Sequence, residues 1–200
     1  MGSVTAHQFS SVRVHVSGVL SADAASTWDV VKDFGAICQW APTLEVSGKS
    51  QIVRSGMLTG GRGTVVGAAR VVHIGTDTIV EELTAMDNVE HTMRWRVISH
   101  PSCTNPFPAS YLNSSVKLTL TAITISKQCL AELEASFLTE PSQTGLMHAQ
   151  QARLLEGMLV GLEHYLAANQ QPHYAALQPP PHSSQSQLVI NTLDSGGSSS

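Results

Sequence analysis

Charge is scarce in this chain. Of its 200 residues, 13% are Asp, Glu, Lys or Arg, with 15 acids against 11 bases and a net charge of -4. No basic stripe is present, which argues against nucleic acid as a partner. The low charge, beside 42% hydrophobic residues, also argues against a disordered chain. Long apolar runs are missing: none approaches the ~18 residues of a membrane-spanning helix, so no integral membrane association is expected. The opening Met1-Gly2-Ser3-Val4-Thr5-Ala6 has neither a basic start nor an apolar block, so no secretory signal is read there. Ala6 stands where myristoylation wants Ser or Thr.

Cysteine is sparse too. Cys38, Cys103 and Cys129 are odd in number and have no paired spacing, which fits a reduced, cytoplasmic setting. Cys38 has no clear base nearby and reads as a structural thiol. His100 and Cys103 are close together, yet no second pair completes a metal site. The chain lacks a phosphate loop, a dinucleotide fingerprint and a nucleophile elbow. No metal and no cofactor are therefore expected. Internal repeats are absent, and the oligomeric state is not legible.

What remains suits one domain with a tail. Residues 1–10 read as a flexible leader, 11–168 as the domain and 169–200 as a tail rich in Gln, Pro, Ser and Gly. Such a tail buries too little surface to offset its ordering entropy, so disorder is expected there. In the domain, Val12, Val14 and Val16 alternate with Arg13 and His15, the period of a strand running to about Leu20. Ser21-Ala22-Asp23 offers a helix cap. Ala24, Trp28, Val31 and Phe34 then share one helical face. A second short helix ends at Pro42. Strands are expected near 44–53, 63–74, 77–86, 91–99, 111–126 and 128–138. A glycine-rich loop is expected at 55–62, and a proline-rich one at 100–109. A long helix follows from Thr144 to about Ala168, carrying Met147, Leu154, Leu155, Met158, Leu159, Leu162, Tyr165 and Leu166 at helical spacing. Gly157 and Gly161 weaken it by about 1 kcal/mol each, so a packing reason is expected. One long amphipathic helix and two short ones must cover the face of a curved sheet.

The segment 63–87 carries the chemistry. Gly75-Thr76 suits a type II′ hairpin turn. That turn sets Ile74 opposite Asp77, Val72 opposite Ile79 and Arg70 opposite Glu81. An arginine and a glutamate thus face each other, each flanked by apolar residues. On a solvent face such a pair stabilises by roughly 0–1 kcal/mol. In an interior it implies a ligand contact, a proton-transfer group or a polar anchor, because burying two charges is costly. The opposite face (Val65, Gly67, Ala69, Val71) is also apolar, so alternation alone leaves both readings open. Trp95 shares a face with Met93 and Val97, and Ser114 with Leu112, Val116 and Leu118. Trp28 and Trp40 read as packing residues of the short helices.

Val19-Leu20-Ser21-Ala22-Asp23-Ala24, Trp28 to Phe34 and Trp40-Ala41-Pro42 together resemble the opening of the START-like (SRPBCC, birch-pollen-allergen-like) superfamily. Gly67-Ala68-Ala69-Arg70 and Glu81 to Asp87 are similar to two strands of its polyketide cyclase/dehydrase branch, which includes lachrymatory-factor synthase-like proteins. Pro106-Phe107-Pro108, the strand Ala131 to Phe137 and the closing helix fit the same branch. The resemblance spans about residues 11–168.

It implies an α+β helix-grip fold, with about seven antiparallel strands curved around the C-terminal helix and two short helices after the first strand. It also implies an internal cavity lined by Trp95, Leu112, Ser114, Leu133 and Met158. Trp95 stands where tyrosine is usual in the branch, Leu112 where a lachrymatory-factor synthase has a second pocket tyrosine, and Leu133 where tryptophan is frequent. These departures remove hydroxyls and favour an apolar ligand. The expected function is binding of a small, mostly apolar molecule (lipid, isoprenoid or polyketide-like), with Arg70 and Glu81 as polar anchor. The alternative is a cofactor-independent cyclase, dehydratase or isomerase, with Glu81 moving a proton and Arg70 stabilising an oxyanion.

Overall fold

The computed structural model describes residues 9–46, 49–58, 63–99 and 114–169. The leader up to residue 8, the segment 100–113 with Leu112, and the tail from residue 170 lie outside these. Among the described residues, eight strands and three α-helices follow in the order β1 (Ser10–Leu20), α1 (Ala24–Val31), α2 (Ile37–Trp40), β2 (Thr43–Val46), β3 (Lys49–Met57), β4 (Ala69–Ile74), β5 (Asp77–Asp87), β6 (Thr92–Ser99), β7 (Ser115–Ile123), β8 (Gln128–Thr139) and α3 (Thr144–Asn169). A 3-10 turn, Phe34–Ala36, precedes α2. The strands form one antiparallel sheet in the order β1-β8-β7-β6-β5-β4-β3-β2. It is a meander whose first strand has joined the last, curled around α3. This is the helix-grip fold.

The alternating valines of β1 behave as their period requires: Val12 and Val14 are buried, and Arg13 and His15 point outward. At α1, the Asp23 carboxylate accepts the Ser26 N–H at 2.8 Å, a side-chain N-cap. That backbone bond holds the Asp23 carboxyl below its ordinary range. Ala24, Thr27, Trp28 and Val31 face inward. The Trp28 indole stacks on His91, with centroids 5.6 Å apart, and donates to Asn88 Oδ1 at 3.0 Å. The β5–β6 turn is thereby fastened to α1.

On α3 the buried stripe is Met147, Gln151, Leu155, Met158, Leu159, Leu162 and Leu166. Gly161 has its packing reason in α2. A Cβ there would lie 2.8 Å from the Trp40 carbonyl oxygen, closer than real contacts allow. Gly157 abuts Leu44, at 3.3 Å from the same hypothetical atom. The glycines let α3 approach α2 and β2.

Three expectations about strands are corrected. The 44–53 strand is a hairpin, with Val46 opposite Lys49, which raises the count from seven to eight. The loop expected from residue 55 starts later, because Val53 to Met57 pair with β4. The strand expected from residue 63 begins only at Ala69. Gly67 has φ +89, a conformation that breaks a strand, and Ala68 N–H turns back to the Val65 carbonyl at 2.9 Å. Val65 and Val66 are consequently exposed.

Candidate functional site

The β4–β5 hairpin has the register its turn chemistry dictates. Ile74 pairs with Asp77, Val72 with Ile79 and Arg70 with Glu81. Gly75 has φ +61, and Thr76 is not among the residues of positive φ, the pattern of a type II′ turn. Val72, Ile74 and Ile79 are buried on the face toward α3. Period two therefore carries Arg70 and Glu81 to that same face. Side-chain exposure is 4% for Arg70 and 13% for Glu81, so the pair is interior.

Each head group is held on several sides. Arg70 Nε donates to Glu81 Oε2 at 2.6 Å. Arg70 Nη1 donates to the Phe34 carbonyl at 2.7 Å. The guanidinium lies 3.9 Å from the Phe34 ring centroid and 5.4 Å from that of Trp95, within cation–π range. Trp95 Nε1 donates to the other carboxylate oxygen, Glu81 Oε1, at 3.1 Å. Trp95 sits directly opposite Leu83, so it reaches Glu81 as a diagonal cross-strand neighbour. Register shifts between Val80 and Glu81 and between Leu83 and Ala85 flank the glutamate. Register shifts of the bulge kind bend a sheet.

Phe34 is set by its own surroundings. Its N–H donates to the Gly63 carbonyl at 3.1 Å, and a Cβ on Gly63 would lie 2.5 Å from Asp33 Oδ1 and 2.9 Å from the Phe34 nitrogen. Glycine at 63 lets that chain pass against the 3-10 turn and presents the Phe34 carbonyl to Arg70.

Arg70, Glu81, Trp95, Ser114, Gln151 and Met158 line one cavity, with aliphatic side chains of β4–β7, Ile37, Leu44, Leu154 and Leu155 completing the wall. Four of the expected site residues besides the ion pair can be placed. Trp95, Ser114 and Met158 are brought to the pair. Leu133 is buried but belongs to the packed core under β8, opposite Val16 and Leu118, because the cavity lies beneath β4 to β7. Leu112 lies outside the described residues. The cavity measures about 40 Å³, room for a few waters and well below the roughly 300–1,000 Å³ of ligand pockets. The cavity implied by the resemblance is thus a narrow one, with Leu154, Leu155 and Met158 of α3 in its wall.

The comparisons with known proteins agree with this fold. Residues 11–167 match the model of the family described as polyketide cyclase / dehydrase and lipid transport. The chain belongs to that family. Solved structures similar to it include a Nitrosospira multiformis protein (21% identity, TM-score 0.59, 76% of this chain and 94% of that one). A Thermobifida fusca protein is similar as well (23%, 0.58, 80% and 97%). So is Ara h 8.0201 (14%, 0.57, 80% and 100%). At these identities the likeness speaks for the fold. None of the curated proteins matches the sequence.

For this member of the polyketide cyclase/dehydrase and lipid transport family, two residues of the site escaped the sequence reading. Gln151 is buried at 3% exposure, between Met147 and Leu155 on the apolar stripe of α3. A polar residue at i+4 from one buried apolar residue and i−4 from the next was a visible signal. Phe34 was legible as a core residue, but its carbonyl contact with Arg70 was not, since nothing local encodes a bond across 36 positions. The two described thiols lie elsewhere. Cys129 is buried under α1, where desolvation pushes its thiol up, and Cys38 approaches the Ser55 carbonyl at 3.9 Å. No helix among the described residues is long and apolar enough to cross a membrane.

Proposed function

We propose that this chain binds a small, mostly apolar molecule between its sheet and α3, with the Arg70–Glu81 pair as the polar element of the site. The supporting observation is that pair itself: two charged side chains turned into an otherwise apolar wall, where an apolar pair would pack at lower cost. Family membership supports the same reading. A molecule larger than a few waters needs the helix-side wall to give way. Met158 suits that role, being unbranched and able to repack, and Leu154 beside it is half-buried.

Titration with the neutral fluorophore N-phenyl-1-naphthylamine tests this. Met158→Ala enlarges the cavity and is expected to tighten probe binding several-fold. Val97→Phe, on the opposite wall, fills it and is expected to abolish binding. Far-ultraviolet circular dichroism establishes that each variant is folded. Probe affinity indifferent to both substitutions in folded protein would refute the assignment of the site.

The enzymatic alternative rests on the same carboxylate. Both Glu81 oxygens accept hydrogen bonds, the pattern of an ionised group, so in a cyclase or isomerase reaction Glu81 begins as a base. Arg70 is then the stabiliser of negative charge on an oxygen. Turnover lost in Glu81→Gln with probe binding retained would favour this reading over simple carriage.

A further inference from the structure

We infer that the site selects uncharged molecules and rejects both carboxylates and amines of the same skeleton. The inference rests on the ligand-binding reading and adds the class of ligand. An arginine in a cavity wall ordinarily suggests an anion, but here its charge is already spent. Arg70 is compensated by Glu81 at 2.6 Å, donates to the Phe34 carbonyl at 2.7 Å and is covered by the Phe34 ring. Glu81 in turn has one oxygen on Arg70 and the other on the Trp95 N–H. Among the described residues, the others lining the cavity carry no ionisable group. The described wall therefore sums to zero charge.

An incoming carboxylate is desolvated in this space and meets no unpaired cation. To gain Arg70 it must displace Glu81, which leaves one buried anion stranded. An ammonium faces the mirror problem, since Arg70 opposes it wherever Glu81 attracts it. A hydroxyl, carbonyl or ester pays neither penalty. Ser114 places an uncharged polar side chain in the same wall, the kind of group that exchanges hydrogen bonds with a neutral head. Trp95 strengthens the case. Indole N–H donates only, so it fixes the carboxylate as an acceptor.

The test displaces N-phenyl-1-naphthylamine from the parent protein with 1-octanol, octanoate and octylamine at neutral pH. Octanol is expected to compete at least about tenfold more tightly than either ion, a difference of about 1.4 kcal/mol. Octanoate or octylamine competing as well as octanol overturns the inference and leaves the ligand-binding reading standing. Failure of the fluorophore and all three competitors to bind overturns both. A second arm uses Glu81→Gln, which uncovers the arginine. Octanoate should then gain at least about tenfold on octanol. An unchanged ratio in folded Glu81→Gln also counts against the inference. If that variant does not fold, the parent-protein series decides alone.

Discussion

Two neighbouring glutamates on β5 meet opposite fates. Glu81 turns inward to Arg70 of β4, and Glu82 turns outward to Arg96 of β6. The bond lengths are nearly equal, 2.6 Å from Arg70 Nε and 2.7 Å from Arg96 Nη2. The surroundings are not. Side-chain exposure is 4% and 13% for the inner pair, against 58% and 27% for the outer. One step along a period-two strand moves the same chemistry from cavity wall to solvent. Geometry of the contact says little about what a charge pair is for. The dielectric around it, and the other groups that hold it, say most.

The largest effect should come from breaking the inner pair. Arg70→Leu strands Glu81 and orphans the Phe34 carbonyl, and is expected to destabilise the fold by about 3–5 kcal/mol. The double substitution Arg70→Leu/Glu81→Leu removes both charges and should regain most of that loss. It should still fall short of the parent, because the Phe34 carbonyl loses its donor and the Trp95 N–H its acceptor, each at a cost of about 1 kcal/mol or more. Urea denaturation of the three proteins checks both figures. A double variant as unstable as the single one would mean that the charge pair is not the source of the effect.

A smaller effect is expected at Trp95. Trp95→Phe keeps a ring near Arg70 and removes the N–H that reaches Glu81 Oε1. Hydrogen bonds to charged groups contribute about 1.5–3 kcal/mol, and the loss should sit toward the lower end because Glu81 retains some exposure. The same substitution should leave the Glu82–Arg96 pair untouched. Equal sensitivity of both pairs would show that the change acts through sheet packing rather than through the indole donor.

How much of this was legible depends on the range of the interaction. The Arg70–Glu81 register followed from two residues, Gly75 and Thr76, because a two-residue turn fixes every pair behind it. The stripe on α3 followed from helical spacing, and the α1 cap from Asp23. Which face of the hairpin is interior was not decidable locally, since Val71 and Val80 are apolar as well. It is decided by what lies across from it: α3, far away in sequence. The same holds for Phe34, whose carbonyl meets Arg70 only once the 3-10 turn is folded against Gly63. The β2–β3 hairpin was missed although Ser47-Gly48 is a turn-forming dipeptide, because the apolar residues on either side of it, Leu44, Val46, Ile52 and Val53, were read as one strand. The cavity's small volume could not be read at all. Volume depends on how Leu154, Leu155 and Met158 descend, and spacing gives direction without depth.

The smallest effect belongs to the outer pair, and it sharpens the contrast most. Glu82→Ala removes a partner whose arginine is more than half exposed. Water solvates the freed Arg96 head at once, so no charge is stranded. Exposed pairs contribute roughly 0–1 kcal/mol, and ions screen them over a Debye length of about 10 Å at 0.1 M salt. Glu82→Ala should therefore cost less than about 1 kcal/mol in dilute buffer, and less again at 1 M sodium chloride. The inner pair, shielded from those ions by protein, should keep most of its effect in the same salt. Parallel urea titrations of Arg70→Leu and Glu82→Ala at both salt concentrations compare the two directly. If added salt reduced both effects by the same proportion, the inner pair would be in contact with bulk solvent, and the distinction between the two faces of β5 would fail.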